Sequence, residues 1–259
     1  MIPSDSIHLE HLGQTGLRLD LKNLTVLVDP YLSHSVQELD APDLVRQLPI
    51  PYQPSELTAV DWVLITHEHI DHCDPHTLTI LAEASPQVRF MGPLAVRKQL
   101  LDWGITEDRI QAASPNDYKL SDQLWVRSLP AAHPKLRFDQ FNQPQVVGYL
   151  FRNKSKTLYV AGDTSVCDEL IDALRQVGSI DLALLPVNED NYFRRRRGII
   201  GNMSIRDAFG LASEVGIKSV APVHWDMFAA NSTCIEEINA VYSADNWPFT
   251  LLHCSNIKL

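Results

Sequence analysis

Cysteine is scarce in this sequence of 259 residues, and Cys73, Cys167, Cys234 and Cys254 show no C-x-x-C spacing. That scarcity argues against a disulfide framework and against a cysteine-rich zinc site. The chain also lacks a run of about eighteen apolar residues, so we expect no membrane span. Residues 1–6 lack the basic and then apolar regions of a secretory signal, so we expect a cytoplasmic protein.

Positive charge is limited as well. The chain has 22 lysines and arginines against 32 aspartates and glutamates, which gives a formal net charge of −10. This balance disfavours a broad nucleic-acid-binding surface, because phosphate backbones require clustered cations. The local exception is a run of four consecutive arginines at residues 194–197.

Short apolar runs alternate with amphipathic segments along the chain, without an internal repeat or a disordered linker. We therefore predict one α/β domain that spans residues 1–259. The predicted strands cover residues 7–12, 17–21, 25–28, 62–66, 88–91, 123–132, 146–151, 157–161, 182–185, 220–223 and 249–254. The predicted helices cover about 75–84, 93–104, 167–177 and 205–215, and a last one begins near 233. Asp74 and Ser204 are the predicted N-caps of the first and fourth helices.

Four side chains that bind metals well follow the apolar run 63–65 directly. They are His67, His69, Asp71 and His72. Imidazoles and carboxylates are usual ligands of zinc, and they also suit manganese or iron. A buried strand that delivers four such groups at its C-terminal end gains little from them unless an ion neutralises the cluster. The spacing His-x-His-x-Asp-His therefore predicts a metal site.

Further candidate ligands follow other apolar strands, namely His133, Asp163 and His224. A lone histidine at either position would be typical of an ordinary, partly buried side chain. Strand ends along one edge of a sheet stack converge, however, so these groups can meet the first cluster in space. The complete set favours a metal site. Asp29 ends another strand, although Asp-Pro at this position is also a plain turn signal.

These motifs resemble the metallo-β-lactamase superfamily over nearly the whole chain. The resemblance implies a four-layer αββα sandwich with mixed sheets, a metal site at one edge, and a metal-dependent hydrolase with two divalent ions. Zinc and manganese both fit the ligand types, and iron stays open. The implied ligands are His67, His69 and His133 for the first ion, Asp71, His72 and His224 for the second, and Asp163 as a bridge. Asp29 matches a buried aspartate that supports the site from behind.

The implied chemistry is hydrolysis. Two cations about 3.5–4 Å apart can share a water, lower its pKa and hold a hydroxide that attacks a carbonyl or phosphoryl centre. Asp71 or Asp163 could then relay a proton to the leaving group. Both aspartates are therefore candidate catalytic residues.

The C-terminal third carries a narrower resemblance, to the L-ascorbate-6-phosphate lactonase family. It rests on Asn-Glu-Asp-Asn at 188–191, Met203 with Asp207, and Pro-Val-His-Trp-Asp at 222–226. This family implies the opening of a cyclic ester in a small, phosphorylated, anionic substrate. The arginine run at 194–197 looks inserted relative to that family.

Candidate substrate-binding residues lie in and before the arginine run. They are Glu189, Asn191, Arg194 and Arg197. Guanidinium groups bind phosphate or carboxylate through paired hydrogen bonds, which fits an anionic substrate. The alternatives are a turn-stabilising role for Glu189 and Asn191, and a solvated loop or an oligomer contact for the arginines.

Two other functions stay open at this point. One is a phosphodiesterase or nuclease of the same fold, similar to RNase Z relatives, which would need an RNA-binding surface. The other is a non-catalytic binding module, against which the complete ligand set argues. The sequence does not decide the oligomeric state, and a homo-oligomer is compatible with the family resemblance.

Overall fold

Two seven-stranded β-sheets dominate the computed structural model, which describes residues 7–253 and 257–258. In chain order, the strands β1 to β14 are His8–Gly13, Gly16–Leu21, Leu24–Val28, Trp62–Leu64, Arg89–Gly92, Ile110–Ala112, Tyr118–Lys119, Trp125–Pro130, Val147–Arg152, Thr157–Val160, Leu182–Pro186, Ser219–Val223, Thr250–Leu251 and Ile257–Lys258. The helices α1 to α6 are Pro75–Ala84, Leu94–Asp102, Asp168–Val177, Tyr192–Arg196, Ile205–Glu214 and Ile235–Ser243. Single helical turns at Val36–Asp40, Pro54–Glu56, Glu107–Arg109 and Ala229–Asn231 lie in the loops.

Both sheets are mixed, and each has a parallel part and an antiparallel part. The first sheet has the order β14-β1-β2-β3-β4-β5-β6, with antiparallel pairing up to β3 and parallel pairing from β3 onward. The second has the order β13-β12-β11-β10-β9-β8-β7, parallel up to β10 and antiparallel beyond it. The parallel parts bring several carboxyl strand ends to one edge of the sandwich.

The strands are apolar on both faces because each sheet is covered on both sides. In β10, Leu158 and Val160 point into the core between the sheets, while Tyr159 packs toward the outer helices. Helices α1 and α2 cover the first sheet, and α3, α5 and α6 cover the second. Successive side chains on a strand point to opposite faces, so full burial requires a layer on each side. The predicted four-layer αββα sandwich is confirmed.

Local signals place the starts of α1 and α5. Asp74 accepts a hydrogen bond from the His76 backbone N–H at 3.0 Å, and Pro75 is the first residue of α1, as predicted. Ser204 forms a capping box with Asp207 at the start of α5, also as predicted. Among the helices that the structure describes, none has both the length and the hydrophobicity of a membrane span.

Some predicted elements were wrong or incomplete. The strand predicted at 62–66 ends at Leu64, since the chain then turns toward the metal-binding motif. The last predicted strand is limited to Thr250–Leu251, and residue 254 lies outside the described residues. The arginine run was not predicted to be helical, yet its first three residues belong to α4, whose N-cap is Asn191. The short strands β6, β7 and β14 were not predicted either, because two or three residues carry too little periodicity.

Candidate metal centre

The predicted ligands lie together at one edge of the sandwich. His67 follows β4, His133 follows β8, Asp163 follows β10, and His224 follows β12 directly. His69, Asp71 and His72 belong to the loop that leads from β4 to α1. Both sheets therefore contribute side chains, which is why residues up to 157 positions apart in the sequence meet here.

Close backbone approach explains the glycine before Asp163. Gly162 has a φ of +60°, which disfavours residues with a side chain. A Cβ atom at this position would lie 2.6 Å from Cγ2 of Thr66, at the end of the facing sheet. His224 and Asp29 also have positive φ values, of +61° and +42°. Left-handed backbone at non-glycine residues is strained and concentrates at functional sites.

The side chains form two groups of potential ligands. Ligand atoms of His67, His69 and His133 lie within 4.8 Å of one another, and so do those of Asp71, His72 and His224. We call these groups the first and the second triad.

Asp163 lies between the two triads. Its carboxylate oxygens are 3.5 Å from His133 Nε2 of the first triad, and 3.4 Å and 3.2 Å from His72 Nε2 and His224 Nε2 of the second. It also forms a third potential ligand group with His67 and His72. The structure therefore brings Asp163 next to both triads, and its bridging role stays a prediction.

Several ligand atoms are buried without a hydrogen-bond partner among the described residues. They include His67 Nε2, His72 Nε2 and Asp163 Oδ1. A buried polar atom without a partner costs about 1–3 kcal/mol, so native proteins rarely leave such atoms together. Imidazole nitrogens and carboxylate oxygens that converge in this way fit divalent cations. The donor set therefore fits a metal ion at each triad.

Asp29 anchors both triads from behind. It is fully buried and accepts hydrogen bonds from the Thr66 backbone N–H at 2.8 Å, the Thr66 hydroxyl at 2.7 Å and His72 Nδ1 at 2.8 Å. Thr66 Oγ1 in turn lies 3.0 Å from Nδ1 of His67. These bonds place a proton on Nδ1 of His67 and of His72, so the Nε2 lone pairs of these two imidazoles face the centre.

Two imidazoles of the first triad, those of His67 and His133, are held neutral. Burial lowers the pKa of His67 well below its usual range, and the neighbouring His72 and His69 imidazoles lower it further. Burial also lowers the pKa of His133 to about 4, against the pull of Asp163. Neutral imidazole is the form that binds metals, so His67 and His133 need no proton release near neutral pH.

The second triad lies in a more negative environment. Burial opposes the charged form of His72, but the carboxylates of Asp163, Asp71 and Asp29 outweigh it and raise the pKa of His72 well above its usual range. Burial likewise opposes the charged form of His224, but the carboxylates of Asp163 and Asp71 together outweigh it and raise the pKa of that imidazole to about 9. The carboxylates that attract protons to these rings attract a divalent cation to the same place.

The centre opens into a cavity of about 650 Å³. His69, Asp71, His133, Asp163 and His224 lie at its base. Apolar side chains form much of the wall, among them Val36, Leu39, Leu44, Ile70, Ile200 and Phe228. The charged side chains in the wall are Asp40, Glu68 and Arg197. Apart from the arginine run, sequence patterns marked none of these wall residues, because the segments that form the wall are far apart along the chain.

Arg197 is the predicted substrate-binding residue that lies in the cavity wall, where it forms an ion pair with Asp43. Glu189, Asn191 and Arg194 are absent from the wall that the described residues form. Asn191 caps α4 by accepting hydrogen bonds from the Phe193 and Arg194 backbone N–H groups. Arg194 donates to the backbone oxygens of Glu189 and Ser232.

The other two arginines of the run also have partners of their own. Arg195 pairs with Asp190 at 2.5 Å, and the guanidinium of Arg196 lies 5.9 Å from the centre of the Tyr192 ring. The four arginines therefore point in different directions, and Arg197 alone of the run faces the cavity in the part of the chain described.

Sequence patterns did not mark the turn between β1 and β2 as part of the centre. Gln14 and Thr15 are buried there, and both contact the second triad or its support. A polar pair between Gly13 and Gly16 is typical of an exposed hairpin turn, so no local signal marked these residues.

Comparison with known sequences gives matches across the metal-binding segment. The family model described as the Beta-lactamase superfamily domain matches residues 25–225. An uncharacterised protein of Mycobacterium tuberculosis is 29% identical over 222 residues, which are 83% of this chain and 58% of that protein. An N-acyl-phosphatidylethanolamine-hydrolysing phospholipase D of Caenorhabditis elegans is 22% identical over 249 residues, which are 90% of this chain and 69% of that protein.

The lactonase resemblance also appears among the relatives. A probable L-ascorbate-6-phosphate lactonase of Escherichia fergusonii is 25% identical over 211 residues, which are 76% of this chain and 58% of that protein. The chain thus spans 58% of the length of both the mycobacterial relative and this lactonase.

Solved structures share the fold over nearly the whole chain. A metallo-hydrolase from Ignicoccus hospitalis has a TM-score of 0.73 at 17% identity, with 98% of both chains covered. A metal-dependent hydrolase from Veillonella parvula has a TM-score of 0.76 at 16% identity, with 97% of this chain and 99% of that chain covered. The family match, which covers more than half of the chain, shows that the chain belongs to the Beta-lactamase superfamily domain family, and the solved structures show that it has the metallo-β-lactamase fold.

Proposed function

We propose that this protein uses two divalent cations, one at each triad, to hydrolyse a small anionic ester, with a lactone as the preferred class. The observation that carries the proposal is the convergence of unpartnered buried ligand atoms at the base of an open cavity. The relative described as a probable lactonase supports the ester class.

The proposed ligands are those of the two triads together with Asp163, which would bridge the cations. Zinc and manganese both fit these donors, and iron does as well. When bound, the cations supply Lewis-acid polarisation of the scissile group and a lowered pKa for coordinated water.

Asp71 is the better placed of the two candidate proton carriers. Both residues lie at the base of the cavity, but the side chain of Asp71 is 19% exposed, whereas that of Asp163 is 4% exposed and is surrounded by three imidazoles. A group that protonates a leaving alkoxide must reach the substrate side of the centre. We therefore assign proton transfer to Asp71 and a bridging, charge-balancing role to Asp163.

Arg197 is the proposed contact for an anionic group of the substrate. Its guanidinium already binds Asp43, so a substrate anion has to compete with that carboxylate. Asp40 and Glu68 add negative charge to the same wall. This balance fits one anionic group better than a polyanion, which counts against the nuclease alternative.

A second candidate is the hydrolysis of a phosphodiester that carries an apolar group. The apolar part of the cavity wall favours it, with Leu39, Ile70 and Phe228 as the contacts for such a group. The relative from Caenorhabditis elegans, which is described as a phospholipase D, belongs to this chemical class.

Metal analysis and a substrate panel test both candidates. The panel contains lactones with and without an anionic group, a neutral aryl ester and bis(p-nitrophenyl) phosphate. We expect two equivalents of metal and the highest kcat/KM for an anionic lactone. Selective turnover of the diester would favour the second candidate.

Variants of the centre decide whether it performs the reaction. His67→Ala and Asp163→Ala should lose metal and at least about 100-fold in kcat/KM, which is more than the 10–100-fold loss typical of a group that only supports a ligand. His76→Ala is the matched control, because His76 lies on α1 and pairs with Glu38 outside the centre. Unchanged metal content and activity in both centre variants would refute the proposed site.

A further inference from the structure

The turn between β1 and β2 reaches into the second triad. Gln14 is 1% exposed, and its Nε2 atom lies 2.6 Å from Asp71 Oδ2 and 3.2 Å from His224 Nε2. Asp71 and His224 are two of the three residues of that triad. The side-chain amide of Gln14 therefore lies beside the atoms that would hold the second cation.

The backbone of the turn keeps Gln14 in this place. The Gln14 carbonyl accepts hydrogen bonds from the His224 backbone N–H at 2.9 Å and from His11 Nε2 at 3.0 Å. Gln14 itself has a φ of +58°, a strained value for a residue with a side chain. A Cβ atom at Gly13 would lie 2.7 Å from Cε of Met227, so the turn is tightly packed. The amide thus has little room to withdraw from the triad.

We propose that the side-chain oxygen of Gln14 is a further ligand of the second cation, an inference that rests on the proposed two-cation site. An amide N–H carries partial positive charge and is repelled by a cation held by Asp71 and His224. A half-turn about the last side-chain bond exchanges the nitrogen and the oxygen of the amide, and rotation about such bonds is soft. The oxygen then faces the cation.

The spacing of the donors agrees with shared coordination. Ligands that lie about 2.1 Å from one ion are about 3.0–3.4 Å from each other at right or tetrahedral angles. The Gln14 amide lies 2.6 Å and 3.2 Å from the two ligand atoms, so a short adjustment brings it into this range. An added amide oxygen makes the second triad harder and richer in oxygen than the all-histidine first triad.

The competing explanation is that Gln14 only donates a hydrogen bond that orients Asp71. Both explanations predict weaker metal binding when the amide is lost, so affinity alone does not separate them. Coordination number does separate them, because only a ligand changes it. The visible absorption of bound Co²⁺ reports coordination number, since it becomes more intense when six- or five-coordinate ions lose a ligand.

Two substitutions remove the contact in different ways. Gln14→Asn keeps the amide but shortens the side chain by one methylene, and asparagine tolerates the positive φ at this position. Gln14→Met keeps the length and removes the amide. Gln87→Met is the matched control. It also removes a side-chain amide, which donates hydrogen bonds to the Thr58 and Val60 carbonyls, but it does so at a distance from the centre.

The experiment is a titration of each metal-free protein with Zn²⁺ by calorimetry, followed by Co²⁺ absorption spectra at one and two equivalents. We expect wild type and Gln87→Met to bind two ions. In both Gln14 variants, the second-site affinity should fall about 10–100-fold, the first-site affinity should stay within threefold, and the second Co²⁺ should absorb more intensely. If wild type binds two ions and the variants keep the second-site affinity, or lose it with an unchanged Co²⁺ spectrum, the ligand role is wrong. Wild type that binds a single ion would overturn the two-cation site, and this inference with it.

Discussion

Asp29→Asn should weaken metal binding at both triads, most strongly at the second. In the wild type, one oxygen of Asp29 accepts from both His72 Nδ1 and the Thr66 hydroxyl. Asparagine retains one oxygen for the Thr66 backbone N–H but places an N–H₂ group where the other oxygen was. Asparagine also tolerates the φ of +42°, so the backbone is not the cause of the effect.

The magnitude follows from the side chains that lose their partner. The Thr66 hydroxyl can rotate and accept from the new amide, but the Nδ1–H of His72 loses its carboxylate acceptor and keeps only the Thr15 hydroxyl, 3.1 Å away. Losing a hydrogen bond to a charged group costs about 1.5–3 kcal/mol. The ring can avoid this cost by moving its proton to Nε2, but that nitrogen then no longer binds metal. Every 1.4 kcal/mol is about tenfold in affinity, so we expect a 10–100-fold loss, the range typical of supporting residues.

The two triads can be separated with a second variant. Thr66→Val removes the hydroxyl that lies between Asp29 and His67 and leaves the bond from His72 to Asp29 in place. It should weaken the first site and leave the second within about threefold. Asp61→Asn is the control, because Asp61 also accepts a backbone N–H, from Thr25, at a distance from the centre.

The assay is calorimetric titration of the metal-free variants, with the melting temperature of each metal-free protein as a check on folding. Metal affinities of Asp29→Asn within twofold of wild type would refute the role assigned to Asp29. Equal losses in Asp29→Asn and Asp61→Asn would show that the effect is one of general stability instead.

The remaining predictions concern the cavity wall and stability. Arg197→Gln should raise KM about threefold to tenfold for anionic lactones and little for neutral ones. Arg195→Gln is the control, because it alters an ion pair outside the cavity and should leave KM for both kinds of lactone unchanged. Equal effects of Arg197→Gln on anionic and neutral lactones would exclude a substrate contact. Asp181→Asn should destabilise the fold by about 1 kcal/mol at neutral pH, because Asp181 accepts from Lys218 and from the Thr157 backbone N–H. Burial raises the pKa of Asp181, but these partners outweigh it and the pKa is lowered overall. Ionised Asp181 therefore contributes to the free energy of unfolding above the unfolded pKa of about 3.9, and this contribution is lost as the pH falls through the lower folded pKa. Urea denaturation at a series of pH values from 7 to 3 measures the free energy of unfolding of wild type and variant. The difference between the two should shrink toward pH 3, and a constant difference would contradict this explanation.

Local patterns carried the prediction of the regular elements. Asp74-Pro75 and Ser204 mark helix starts because their side chains cap the backbone within three residues. The helix of the arginine run was missed although Asn191 caps it in the same way. Four like charges argue against a helix, and here their partners Asp43, Asp190 and Ser232 come from other segments or from outside the helix.

The sequence by itself determined the chemistry of the centre, because a histidine and aspartate motif of fixed spacing has few uses other than metal binding, and because strand ends in parallel sheets meet at one edge. Only the tertiary structure decided what surrounds that centre. The family resemblance already implied the support by Asp29, but nothing in the sequence marked Gln14, which contacts Asp71 across 57 positions. The cavity wall likewise joins segments near Leu39 and Ile200. Such contacts leave no periodicity in the chain, so they become visible only once the two sheets are packed together.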